Sequence, residues 1–189
     1  MAGYVTGMTR ADQRLLMAAK NGRIKDGMDA LALGARAGVI DADGETALHA
    51  LAEKFGDYGD DENYLEFART IIDAGCSVDQ ANRFGCTALM TAAYFNKKVL
   101  VKELHERGAR LDGSLHFVVA QSNSVEMAEL LISLGCNVLA LDKAGASVLE
   151  KARTRWGGPS MEMVSFIEAA VLSAQISPDA QPSRPALRI

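Results

Sequence analysis

The stretch FGDYGDDENY, residues 55–64, places four carboxylates, Asp57, Asp60, Asp61 and Glu62, within six positions. Carboxylates this dense can hold a hard cation, share a proton as general acid and base, or face a basic surface. Their spacing fits no cation loop. An acid–base pair needs a pocket that separates two pKa values, and a surface segment with two glycines offers none. DADG at 41–44 opens like a calcium loop, but Ala52 stands at the twelfth position, where that loop needs a bidentate glutamate. The three histidines, His49, His105 and His116, have no partners at metal-site or Ser-His-Asp spacing. His105 falls among Lys102, Glu103, Glu106 and Arg107, which reads as a solvated face. GGPS at 157–160 lacks the lysine and further glycines of a phosphate loop. It reads as a turn with Ser160 as helix N-cap, and Trp156 is expected to pack beneath it. No catalytic residue, metal or cofactor is expected, and the chain reads as no enzyme.

Composition narrows the classes further. Twenty Lys and Arg face 24 Asp and Glu, a net charge of −4, and the four acids of the opening stretch account for all of it. Concentrated negative charge without a basic patch argues against nucleic-acid binding. No apolar run approaches the ~20 residues of a membrane span, and MAGYVTGMTR lacks the features of a secretory leader. Cys76, Cys86 and Cys136 form no CxxC pair and are odd in number, which suggests free thiols in a reducing compartment. The expectation is a soluble, cytoplasmic protein, monomeric rather than oligomeric.

Any such residues must be held by the chain's regular elements, and these repeat. DADGETALHALA, NRFGCTALMTAA and DKAGASVLEKAR each carry glycine, a hydroxyl residue two positions on and leucine two further: Gly44/Thr46/Leu48, Gly85/Thr87/Leu89 and Gly145/Ser147/Leu149. Gly34, Gly75 and Gly135 each precede the next finger glycine by ten residues. Between them, IKDGMDALALG, LEFARTIIDAG, VLVKELHERG and VEMAELLISLG space aliphatics as amphipathic helices do and stop at a glycine suited to a left-handed cap. The intervals Gly34–Gly75, Gly75–Gly108 and Gly108–Gly135 are 41, 33 and 27 residues. The first surplus falls on GDYGDDEN, read as a loop insertion at 56–63, and the third deficit predicts a missing finger between repeats two and three.

Helix, turn, helix, glycine stop and short finger at about 33 residues resembles the ankyrin repeat. DADGETALH matches the family phrase D-x-x-G-x-T-P-L-H except for proline, whose place is taken by Ala47, Ala88 and Val148. The resemblance implies an all-α ankyrin-repeat solenoid, helix-turn-helix repeats with short β-hairpin fingers, one finger missing. It covers about 10–174, a cap helix pair followed by about four repeats, with an N-terminal extension at 1–9 and a flexible tail at 175–189. It also implies that His49 and His116 hydrogen-bond neighbouring backbone to tie repeat to repeat. Cys76 and Cys136 become small buried groups, and Cys86 takes an exposed, variable position without an activating histidine.

Arrays of this family bind proteins, so the resemblance implies a concave binding face. Transferred residue by residue, its positions are Asp43, Glu45, Glu53 and Lys54 from the first repeat, and Arg83, Phe84, Cys86, Tyr94 and Phe95 from the second. Gln121 comes from the third, and Lys143 and Arg155 from the fourth, with Asp57, Asp60, Asp61 and Glu62 as an acidic flank. In a chain with only 6% aromatics, Phe84, Tyr94 and Phe95 beside an arginine are the composition of an interface hot spot. The expected function is a non-catalytic module for a protein partner with an apolar patch bordered by basic residues. Two alternatives stand beside it: a small acidic inhibitor or immunity protein that neutralises a basic enzyme or toxin, and a structural adaptor that uses its C-terminal tail.

Overall fold

Helices with aliphatics at three-to-four spacing are stable only when that stripe is covered, so they form here in packed pairs. The computed structural model describes residues 7–54, 61–155 and 157–176, with Asp61 contributing its backbone alone. Ten α-helices lie among them: α1 (Arg10–Lys20), α2 (Ile24–Ala32), α3 (Ala47–Lys54), α4 (Asp61–Asp73), α5 (Ala88–Tyr94), α6 (Lys98–Glu106), α7 (Ser114–Gln121), α8 (Val125–Ser133), α9 (Val148–Arg153) and α10 (Met161–Ile176). No described helix is long and apolar enough to cross a membrane.

The starts and stops follow from particular residues. Thr87 caps α5 by accepting the Met90 N–H, and Ser147 with Glu150 forms a reciprocal capping box on α9. Ala47, Ala88 and Val148, at the family's proline position, are first helical residues, where a backbone N–H has no intrahelical acceptor and either residue type fits. Gly34, Gly75, Gly108 and Gly135 have φ of +87°, +95°, +93° and +99°, and the N–H after each returns to the helix, as Ala35 does to the Ala30 carbonyl. That geometry strains any residue with a Cβ, so the glycine stop is obligatory. The Ser160 hydroxyl accepts the Met163 N–H at 3.4 Å ahead of α10, while Trp156 lies outside the described residues.

Contacts divide the chain into two units, Met1–Arg110 and Leu111–Ile189. In the first, α1 packs on α2 and α3, and α3 on α5, with α4 and α6 behind them. Leu15, Leu48, Leu51, Tyr64, Phe67, Ile71, Leu89, Leu100 and Leu104 fill its core. In the second, α7 packs on α8 and α9, and α9 on α10, around Leu115, Val118, Met127, Leu131, Val148 and Ile167. The fingers are turns closed by single antiparallel bridges, Ala81 to Thr87 and Leu141 to Ser147, or by the Asp41 N–H to the Glu45 carbonyl at 2.9 Å. Between Glu106 and Ser114 there is no finger, as the spacing predicts.

Several sequence expectations need correction. α4 begins at Asp61, so Asp61 and Glu62 belong to its first turn and not to the loop insertion. α10 runs to Ile176, through the first two residues assigned to the tail. Glu103 is not on a solvated face: it is 9% exposed and held by Arg69 at 2.9 and 2.7 Å and by Arg107 at 3.1 Å. The Arg69 guanidinium lowers the Glu103 pKa, burial opposes this, and Arg107 adds to the lowering. Arg107 continues to Asp73 at 2.6 Å, so an ionic chain ties α4 to α6. Cys76 is buried, whereas Cys136 is half-buried with its thiol 3.7 Å from the Leu111 carbonyl. Burial pushes both thiols up.

Candidate protein-binding surface

Each finger is built on one side chain. Asp41 accepts the Asp43 and Glu45 N–H groups, Asn82 those of Phe84 and Cys86, and Asp142 those of Ala144 and Ala146, all at 2.8–3.0 Å. This local bonding is what Asp and Asn do in turns. Lys151 and the finger amides bring the Asp142 pKa down to about 2. In the first unit the two fingers are zipped together. The Arg83 N–H donates to the Asp43 carbonyl at 2.9 Å, and Gly44, at φ +75°, would place a Cβ 3.1 Å from the Arg83 nitrogen.

Histidine ties finger to helix. His49 Nε2 lies 3.1 Å from the Cys86 carbonyl, and its Nδ1 receives the Thr46 N–H at 3.2 Å. A carbonyl only accepts, so Nε2 carries the proton and the ring is neutral. His116 Nε2 meets the Ala146 carbonyl at 3.2 Å in the same way. The repeat-to-repeat tie implied by the resemblance is therefore present at both histidines. Burial pushes the His49 pKa below its ordinary value, against the opposing pull of the Cys86 carbonyl, Glu45 and Asp41. The sign follows directly: the tie is at full strength above the unfolded pKa of ~6.5 and weakens as pH falls toward the lower folded value. Urea melts from pH 7.5 to 5.5 are expected to show wild type losing stability and His49→Gln losing less; equal slopes would contradict the tie.

On this scaffold the second finger carries Phe84 at its tip, 69% exposed. The Arg83 guanidinium sits 4.7 Å from the Phe84 ring centroid, and its Nη1 is 2.8 Å from Asp43 Oδ1. Tyr94 ends α5 and Phe95 is its C-cap, their rings edge to face at 4.9 Å and both about two-fifths exposed. Asn96 follows with φ +57°, turning the chain toward α6. Cys86, expected to be exposed, is half-buried behind this tip, and burial, then Glu45, pushes its thiol up, away from reactivity.

The charged candidates are mostly paired. Asp43 meets Arg83, Glu53 meets Lys54 at 3.0 Å, and Glu62 meets Arg69 at 3.4 Å. Glu45 accepts from the Asn82 amide at 3.4 Å, and Asp41 binds Lys20. Lys20 and Asn82 escaped sequence reading because their partners lie 21 and 37 residues away. Asp57 and Asp60 lie outside the described residues, as does the side chain of Asp61. Gln121 and Lys143 are exposed in the second unit, and Arg155 is half-buried there, its Nε without a hydrogen-bond partner among the described residues. No group of three His, Cys, Asp or Glu placed to hold a metal occurs among the described residues.

Paired helices, glycine stops and Asx-built fingers define a helical-repeat protein. The family model for ankyrin repeats matches residues 58–142 in three copies. A curated ankyrin repeat protein of Rickettsia bellii (strain RML369-C) is 28% identical over 115 residues, 57% of this chain and 64% of the relative, so the chain spans less than two thirds of it. Both comparisons support an ankyrin-repeat family, with the matched repeats at residues 58–142.

Proposed function

We propose that the chain is a non-catalytic module that binds a protein partner through the aromatic surface of its first unit. Ankyrin repeats generally mediate protein–protein interaction. The observation that carries the reading is Phe84, Tyr94 and Phe95, three large rings left in water on positions fixed by hydrogen bonds and a ring contact. Rings held this way lose little conformational entropy on binding, which is what makes a hot spot. The acidic stretch, through Asp57 and Asp60, supplies a flank that speeds encounter with a basic rim. Gln121, Lys143 and Arg155 form a separate, weaker part of the reading. The inhibitor alternative needs free carboxylates, and among the described candidates Asp43, Glu53 and Glu62 are ion-paired and Glu45 is hydrogen-bonded, so it rests chiefly on Asp57, Asp60 and Asp61.

Replacing Phe84, Tyr94 and Phe95 together by alanine is expected to weaken the native partner's binding about a hundredfold or more, with the thermal melt unchanged. Unchanged affinity would overturn the reading. Neutralising the acidic stretch is expected to slow association by a fewfold at low salt and to leave dissociation alone.

A further inference from the structure

Within that reading, we infer that the partner's contacting segment is apolar and uncharged, and that the Asp43–Arg83 pair enforces this choice. The inference rests on where the charges around the rings already go. The Arg83 guanidinium has a carboxylate at 2.8 Å on one side and the Phe84 ring at 4.7 Å on another, and its own backbone N–H is bonded to Asp43. A partner carboxylate approaching Phe84 would have to compete with Asp43 for Arg83. A partner lysine or arginine would have to compete with Arg83 for Asp43 and would meet like charge beside the ring. Both leave an ion with a weakened partner as the interface dries, which opposes binding.

An aliphatic or aromatic side chain disturbs neither pair and covers exposed ring surface. Nearby carboxylates are engaged as well: Asp41 with Lys20, Glu53 with Lys54, and Glu45 with the Asn82 amide. The contact beside Phe84 is thus apolar and bordered by the paired charges Asp43–Arg83 and Asp41–Lys20, with Glu45 held by the Asn82 amide, and it is complementary to a neutral segment.

Selection of a phage-displayed peptide library on the intact chain tests the inference without a known partner. The expected result is enrichment of peptides rich in aromatic and aliphatic residues with no excess of Lys, Arg, Asp or Glu. Their affinity is expected to fall at least tenfold on F84A or Y94A/F95A and to change less than about twofold between low and 0.5 M salt. Selection on Asp43→Asn, which leaves Arg83 without its counter-charge, is expected to shift enrichment toward Asp- and Glu-bearing peptides. Peptides that need the rings but are charged and lose tenfold in salt would overturn the inference and leave the docking reading standing. The same selection from wild type and Asp43→Asn would overturn the role of the pair. No enriched peptide that depends on the rings would overturn both. Retained helical signal in each variant confirms that an affinity loss is not unfolding.

Discussion

Asp12→Ala is expected to lower the unfolding free energy of the first unit by about 3 kcal/mol. Asp12 is wholly buried near the start of α1, and its carboxylate accepts the Thr9 N–H at 2.9 Å and the Arg36 N–H at 2.7 Å. The Arg36 side chain adds Nε at 3.1 Å and Nη2 at 2.7 Å, and the Thr9 hydroxyl returns the capping bond to the Asp12 N–H at 3.1 Å. One residue therefore completes the capping box that Thr9 opens on α1 and pins the segment after α2 to it. Removing it leaves the Thr9 and Arg36 backbone donors without their carboxylate, so half of the capping box and the tie to Arg36 are lost together. Burial opposes the charge on Asp12, but Arg36 and Thr9 together outweigh it and hold the pKa well below the usual carboxylate range. A lowered folded pKa means the contribution is complete above the unfolded value of ~4 and is lost as pH falls below it. Urea denaturation at neutral pH, repeated near pH 3, should show Asp12→Asn flattening the acid loss that wild type displays. A cost under about 1 kcal/mol for the alanine variant would mean that the network contributes little.

Gly27→Val should be at least as damaging, for a steric reason. A Cβ at Gly27 would lie 2.2 Å from Phe67 Cζ and 2.9 and 3.0 Å from its Cε atoms. Phe67 is fully buried on α4, and Gly27 is buried on α2, so neither the ring nor the helix has open space to enter. Overpacking of this kind costs about 3 kcal/mol or more, and the valine adds its branch to the clash. Gly27→Ala should carry a large part of the cost. Pairing it with Phe67→Leu should recover stability relative to the sum of the single changes, since one substitution makes the room the other needs. Additive losses in that double-mutant cycle would show that Gly27 and Phe67 do not meet.

Gly27 also shows where sequence reading stops. Within IKDGMDALALG it is a glycine in mid-helix, and nothing local says that a ring 40 positions further on requires it. Glu103 is the same case: its neighbours Lys102 and Glu106 are charged, which suggests solvent, while the residue that buries it is Arg69 on another repeat. What could be read was what repeats. The glycine stops, the hydroxyl caps and the Asp or Asn that folds each finger are short-range devices, visible in the chain as a recurring phrase. Histidine follows the same logic, standing at 49 and 116, in the repeats that a finger follows, while Met90 precedes the fingerless one. The candidate surface was legible as positions but not as a charge pattern. Counting acids suggested a negative face, and only the pairs Asp43–Arg83 and Glu53–Lys54 show how much of it is cancelled. The loop insertion was misjudged at its end because Asp61 and Glu62 are as suited to a helix's first turn as to a loop.

Site-specific photocrosslinking in the native host tests the central claim most directly. A benzophenone side chain placed at position 84 or 95 is within reach of whatever covers the rings, while one at 102 or 106, exposed on α6, is not. The account predicts that one and the same protein is captured from 84 and from 95, and that neither 102 nor 106 captures it. A partner that crosslinks from 102 or 106 but not from the aromatic positions would contradict it.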